Sequence, residues 1–480
     1  MERSLRISLV GGLRFLSILR NMFTPTAVDG LFAAAALSLC YHLYARTVAL
    51  PLPPGPKGWP LIGNVFDMPK SHAWKTFARW GEIYGGIMSI TLMGQPFVIV
   101  NSPTIATELL DKRGTLYADR PTLEMANMSG WDRVLSSARY GTQTAGAMVL
   151  HLTYGYKIKE QENDPLVDLA DKALGEFSEI TRPGAFLVDV IPILKYIPSW
   201  FPGAGFKRLA KMYTKSCDDL AEVPLAYVKE QMANGQHTES YASNLLRDRE
   251  ISADRLYEIK WSAASFYGAG ADTTVSVVTA YFLAAAKYPE VQAKAQAEID
   301  AVVGQHRLPT FEDRDSLPYI DAICKELYRW LPIVPLAVPH RAMADDVYEG
   351  YLIPKGALVI ANVWKFLHDP AVYADPFVFN PDRFLGPNPA PHPTDVGVFG
   401  FGRRVCPGTH LADISVWINV AKAVAGLTIT HTVDAEGKKS ELLADTTDGI
   451  ITRPIPFMCT VAPRSTHILQ LVLDATAEAP

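Results

Sequence analysis

Phe399-Gly-Phe-Gly402-Arg-Arg404-Val-Cys406-Pro-Gly408 sets one cysteine in a glycine-rich loop just ahead of a helical run, in which Leu411, Ile414, Ile418 and Val420 share a face. Such a loop suits a buried thiolate. Its glycines let the backbone turn tightly with N–H groups aimed at the sulfur, and the start of the helix that follows favours negative charge. A lone cysteine beside a flexible loop is more often an ordinary core residue, so the stretch needs independent company elsewhere in the chain.

That company stands upstream. Phe266-Tyr-Gly-Ala269-Gly270-Ala-Asp272-Thr273-Thr274 interrupts an apolar helical stretch running from Trp261 to Lys287. Gly270 weakens a helix where Thr273 can bond a carbonyl one turn earlier, which can open a groove. Asp272 with Thr273 makes an acid–alcohol pair able to pass protons. Taken alone, the segment reads equally as a close-packing glycine and an interior kink. Glu326-Leu-Tyr-Arg329 places an acid and a base on one helical face, by itself a surface ion pair, and Pro381-Asp-Arg383-Phe384 follows.

Around these motifs the pattern is mostly helical. Gly86 to Asn101 alternates around Met93-Gly94-Gln95-Pro96 and predicts a β-hairpin, and Tyr351 to Ala361 predicts a second one turning at Pro354-Lys355-Gly356. Ser102 with Pro103 starts a helix that Gly114 closes, and further helices are expected over 289–303 and 318–331. With 480 residues, 49% hydrophobic and 20% charged, the chain can bury a large core. Its net charge of −5 argues against a nucleic-acid partner. Five widely spaced cysteines argue against a disulfide framework and for a reducing compartment around the catalytic part.

The amino terminus divides into a basic extension over 1–29, an apolar run over 30–46 that predicts a transmembrane anchor, and a proline-rich hinge over 47–60. Arg3, Arg6, Arg14 and Arg20 leave orientation open, since a basic start also resembles a mitochondrial import sequence.

In this order, the AGADTT helix, ELYR, PDRF and FGFGRRVCPG resemble the cytochrome P-450 superfamily, from the Pro53-Pro54-Gly55-Pro56 hinge to about Arg464. KYIPSWFPG, VPHR, IPKGALVIANVW and HDPAVYADP resemble its fungal secondary-metabolism branch, which includes the O-methylsterigmatocystin oxidoreductase-like and tryptamine hydroxylase-like enzymes. The resemblance implies a mainly α (α+β) fold with a small β-rich lobe, an N-terminal membrane anchor and one catalytic domain over 61–480. It implies haem b with Cys406 as axial iron ligand, and Arg404, His340, Phe399, Gly402 and Gly408 as further cofactor-binding residues. Asp272 and Thr273 would deliver protons, while Glu326, Arg329 and Arg383 would form a buried structural charge cluster. Phe266, Ala269, Val334, Leu336 and Val338 would face the substrate.

The expected activity is monooxygenation of an apolar small molecule with O₂. No GxGxxG unit follows a strand, so NADPH would act only indirectly, through a separate cytochrome P-450 reductase, with cytochrome b5 as a second donor. The expected location is the endoplasmic reticulum membrane, single-pass, with the catalytic domain facing the cytosol. The chain departs from the family in one place. No Trp-x-x-x-Arg follows Tyr117-Ala-Asp-Arg120-Pro121, and a block of helix is missing near 140–145, which leaves Arg133 and Arg139 as substitutes for the lost haem-propionate partner or as solvated charges. Two alternatives therefore stand beside the monooxygenase: a haem-thiolate isomerase or dehydratase, and a degenerate, non-catalytic member.

Overall fold

The structure, a computed structural model, describes residues 50–134, 150–156, 164–182, 185–248, 250–433 and 436–471. The basic extension, the anchor and the junction near 140–145 lie outside the described residues. The chain divides into a small unit, residues 1–52 with 347–352, and a large one, residues 53–346 with 353–480. In the small unit the N–H of Leu352 donates to the Pro51 carbonyl at 2.8 Å.

The described elements begin with α1 (Ala73–Tyr84), β1 (Ile87–Leu92), β2 (Gln95–Val100), α2 (Pro103–Ala106, prolonged by a π turn over Thr107–Lys112), α3 (Glu124–Met128) and α4 (Leu150–Tyr154). Next come α5 (Pro165–Ile180), α6 (Leu187–Val190), α7 (Gly205–Ala233), α8 (Tyr241–Leu245), α9 (Ala253–Lys287), α10 (Pro289–Val302) and α11 (Pro318–Trp330). The chain continues through β3 (His340–Arg341), β4 (Asp346–Tyr348), β5 (Tyr351–Ile353), β6 (Leu358–Ala361) and α12 (Val363–Leu367), and ends with α13 (Thr409–Gly426), β7 (Leu427–His431) and β8 (Cys459–Pro463). The architecture is thus mainly helical with small sheets.

The longest helix, α9, forms the centre. It starts at Ala253, earlier than the apolar pattern alone indicates, because the Ser252 hydroxyl accepts the Arg255 N–H at 3.1 Å and caps it. A helix apolar around most of its circumference is stable only when covered. One end of α9, with Tyr281, Leu283 and Ala284, is buried in a cluster with Ile320, Ile323 and Leu327 of α11 and Trp417 and Val420 of α13. The other end, with Trp261, Ala264 and Tyr267, is buried with Leu174 and Phe177 of α5 and Leu220 of α7. Among the described residues α9 is the one helix long and apolar enough to cross a membrane, and its place is this core.

The expected first hairpin forms. Leu92 pairs with Gln95 across Met93 and Gly94, both at positive φ (49° and 89°), the conformation that a two-residue turn between twisted strands requires. The second expected hairpin does not form. Val359, Ile360 and Ala361 of β6 are buried, so β6 is an interior strand, lying parallel to β2 and antiparallel to β3 in a sheet of order β1-β2-β6-β3. β5 turns back on β4 instead, through Glu349 and Gly350, again both at positive φ.

Candidate active site

The cysteine loop is built by backbone bonds. The Cys406 N–H donates to the Phe399 carbonyl at 2.8 Å, and the Thr409 hydroxyl at the start of α13 donates to the Cys406 carbonyl at 2.7 Å. Gly402 sits at φ 54°, and a side chain there would collide with the Leu110 carbonyl oxygen, so glycine is needed where the loop presses on the π turn. Gly402 therefore supports the loop from behind and does not line the adjoining cavity, whereas Phe399, Arg404, Cys406 and Gly408 do. That cavity holds about 1000 Å³. Among the described cysteines only Cys406 borders it. Burial pushes the Cys406 thiol above its ordinary range, and the Gly408 N–H pulls the other way.

The facing wall is α9. Ala269, Gly270, Thr273 and Thr274 line the cavity, and the Thr273 hydroxyl donates to the Ala269 carbonyl at 2.7 Å, one turn back as its position in the sequence indicates. The helix nevertheless runs unbroken through Gly270. Asp272 does not join Thr273 in the cavity. It lies on another face of α9, buried, with its carboxylate 2.6 Å from Arg453. Of the residues expected to face the substrate, Phe266, Ala269, Val334 and Val338 line the cavity and Leu336 does not. Ala337 adopts φ 50° and turns the backbone, so Ala337 faces the cavity while Leu336 packs among Trp74, Phe77 and Ile360.

One end of the cavity is cationic. The Arg404 Nε donates to the Ala118 carbonyl at 2.7 Å, and the His340 Nδ1–H donates to the Tyr117 carbonyl at 2.7 Å. Close to both is Arg120, whose Nη1 donates to the Val338 and Pro339 carbonyls at 2.7 and 2.9 Å while its buried Nε has no partner. Arg120 is not among the cofactor-binding residues that the resemblance implies. Its signal was position: a residue before proline is extended, and the 117–120 segment runs beside the strand that carries His340, with the Arg341 N–H donating to the Asp119 carbonyl at 2.9 Å. Burial, and then Arg404, pull the Arg120 guanidinium down to about 9. Burial, and then Arg120, pull His340 down to about 3. With Nδ1–H spent on Tyr117, His340 can donate from Nε2 only as imidazolium, so the two arginines are the stronger anion holders.

Arg133, by contrast, is directed elsewhere. It binds Asp218 of α7 at 2.6 Å and stacks 4.0 Å over Trp261 of α9, away from the cavity wall. Arg139 lies outside the described residues.

Two guanidiniums crowded at one end of an apolar cavity, one with an unpartnered buried N–H, call for a buried anion. The carboxylate edge of haem meets that need, and a cavity-facing cysteine is a suitable donor for its iron. The residues present fit the group.

Behind the site, Glu326 and Arg329 of α11 form a two-pronged pair at 2.7 and 2.8 Å, both fully buried, and Arg383 joins the same carboxylate at 3.2 Å. The spare guanidinium protons go to the carbonyls of Leu367, Pro376 and Ala374. This cluster thus ties α11 to the strand-poor segment that leads to the cysteine loop.

Comparison with known proteins identifies the family. The cytochrome P-450 family model matches residues 53–135 and 147–445. Cytochrome P-450 monooxygenase 208 of Postia placenta is 45% identical, with 88% of this chain and 92% of the relative covered. Cytochrome P-450 monooxygenase claR of Ampulloclitocybe clavipes is 39% identical over 94% of each chain, and ppsD of Aspergillus oryzae is 36% identical over 90% of this chain and 93% of its own. The first alignment runs over 475 positions while drawing on 88% of this 480-residue chain, so that relative carries dozens of residues without a counterpart here. Matched over most of its length by the family model and by relatives named as monooxygenases, the chain belongs to the cytochrome P-450 family of haem b-dependent monooxygenases.

Proposed function

We propose that the chain inserts one oxygen atom of O₂ into an apolar small molecule of fungal secondary metabolism, with Cys406 as the residue whose thiolate would bind the haem iron. The observation that carries this reading is the shared cavity, onto which Cys406, Thr273, His340 and the two guanidiniums of Arg120 and Arg404 all open. Haem bound there supplies O₂ binding and the redox chemistry. The protein does the rest. Arg120 and Arg404 would hold the haem carboxylates, and Phe266, Val334 and Val338 would keep water from the reacting end. The Thr273 hydroxyl, anchored on Ala269, passes on a proton that Asp272 supplies. Electrons come from NADPH through a separate reductase, and residues 30–46 anchor the chain in the endoplasmic reticulum membrane with the catalytic domain in the cytosol.

The carbon-monoxide difference spectrum of the reduced protein tests this directly. A thiolate-type Soret band in the parent, lost in Cys406→Ser with the helical circular dichroism unchanged, is the expected result; an unchanged band in that variant moves the ligand elsewhere. One observation favours a second reading, a member that retains haem poorly: the family model is unmatched over 136–146. A purified chain with no haem absorbance would establish it.

A further inference from the structure

Away from Arg120 and Arg404, the cavity wall carries two carboxylates that the chemistry described so far does not use. Asp132, on the short turn over Trp131–Arg133, and Asp189 of α6 both line the cavity. The cations on the neighbouring segments are engaged elsewhere. Arg133 holds Asp218 at 2.6 Å, Lys195 holds Glu124 of α3 at 3.0 Å, and Arg182, itself on the cavity wall, lies 3.7 Å from Asp448. Among the described residues, no cationic side chain pairs with Asp132 or Asp189.

Asp189 is the better built of the two. Its carboxylate accepts the Met125 N–H at 2.8 Å and the Glu124 N–H as well, so it is fixed on the first turn of α3, whose Ala126 and Asn127 also line the cavity. Val188, buried at its side, anchors α6 in the core. Backbone N–H groups hold a carboxylate in place without cancelling its charge, and a half-buried charge with no counter-ion is costly until a ligand brings one. The surroundings suit a cation. Trp131, next to Asp132 in the chain, packs on Phe177 with ring centroids 4.8 Å apart, and both rings line the cavity. Aromatic faces attract cations, most strongly where water is excluded.

We propose that Asp189, assisted by Asp132, is a specificity-determining residue that selects an apolar substrate carrying a protonated amine or quaternary ammonium group, with Trp131 and Phe177 flanking the cation. This rests on the reading of the cavity as the substrate site of the haem-loaded chain. The cavity then sorts charge by position: the guanidiniums of Arg120 and Arg404 take the anionic edge of the cofactor, and the carboxylates of Asp132 and Asp189 take the cationic end of the substrate. With the nitrogen held by Asp189, the apolar body is left to fill the stretch lined by Phe266, Val334 and Val338. Oxygen therefore goes onto carbon of that body, and the product keeps its positive charge.

The test is equilibrium dialysis of the full haem-loaded chain at pH 7.5, where the Asp189 carboxyl, pushed up to about 6 by burial, is ionised. Three probes of one shape are compared: phenylbutyltrimethylammonium, which cannot ligate iron through its nitrogen, its neutral analogue with carbon in place of nitrogen, and phenylpentanoate. The parent should bind the ammonium probe roughly tenfold or more tightly than the neutral one, the worth of one charge-assisted contact, and the carboxylate most weakly. Asp189→Asn should remove most of that preference while leaving affinity for the neutral probe unchanged, and Asp132→Asn should remove less of it. Asp189→Glu should retain it. Asn keeps an oxygen for the Met125 N–H, so the helical circular dichroism of Asp189→Asn should match the parent. A parent without preference for the cation, or a preference intact in Asp189→Asn, overturns the proposal and leaves Asp189 a tie between α6 and α3. Either result with a normal carbon-monoxide band removes this inference alone, whereas loss of that band in the parent removes the haem reading on which it rests.

Discussion

Arg120 changes the picture of the site more than any other side chain. A buried guanidinium with an unpartnered Nε beside a second arginine is unfavourable unless an anion joins it. The cofactor's carboxylate edge can therefore be held by Arg120 and Arg404 even though Arg133 is committed to Asp218. Arg120→Leu should lower haem bound per chain, read by pyridine haemochrome at limiting haem. A charge-assisted bond contributes about 1.5–3 kcal/mol, roughly a tenfold or larger loss of affinity. Unchanged occupancy would remove Arg120 from the cofactor site.

Between elements, two contacts carry distinct predictions. Glu326 stands fully buried between Arg329 and Arg383, so Glu326→Ala leaves both cations unpaired and should cost about 3–5 kcal/mol by denaturant unfolding. Replacing Glu326 and Arg329 together should cost less than the sum of the single changes, since fewer charges stay stranded. The other contact joins α6 to α3, where the Asp189 carboxylate accepts the Met125 N–H at 2.8 Å. Burial pushes Asp189 up to about 6, against the pull of the Met125 and Glu124 N–H groups. The folded chain therefore keeps a proton that the unfolded chain releases at lower pH. Stability should fall as pH rises from about 4 to about 6 and level off above. Asp189→Asn should flatten that slope and melt higher than the parent at pH 7.5; an identical slope in the variant would place the effect on another group.

At the scale of the whole molecule, the proposed anchor over residues 30–46 carries its own prediction. A chain beginning at residue 50 should leave the carbonate-washed membrane pellet far more readily than the full chain while keeping the same carbon-monoxide spectrum. Equal retention of the two would shift membrane attachment from residues 30–46 to the catalytic unit. The helix of spanning length within that unit, α9, is the core on which α5, α7, α11 and α13 pack, so its apolar character serves packing.

The sequence by itself determined what local chemistry dictates. A glycine-rich loop ahead of a helix marked Cys406, the Ser102-Pro103 start and the Met93-Gly94 turn placed α2 and the first hairpin, and an apolar run marked most of α9. Each of these depends on residues close together in the chain. Tertiary structure decided the rest, because it turns on pairings between distant segments. A strand does not name its neighbour, so β6 went to β2 and β3 instead of closing a hairpin with β5. A positive φ at Ala337 moved Leu336 out of the cavity. Asp272 and Thr273 are adjacent in sequence, yet successive residues on a helix point in different directions. Only the packed molecule could give one to the cavity and the other to Arg453.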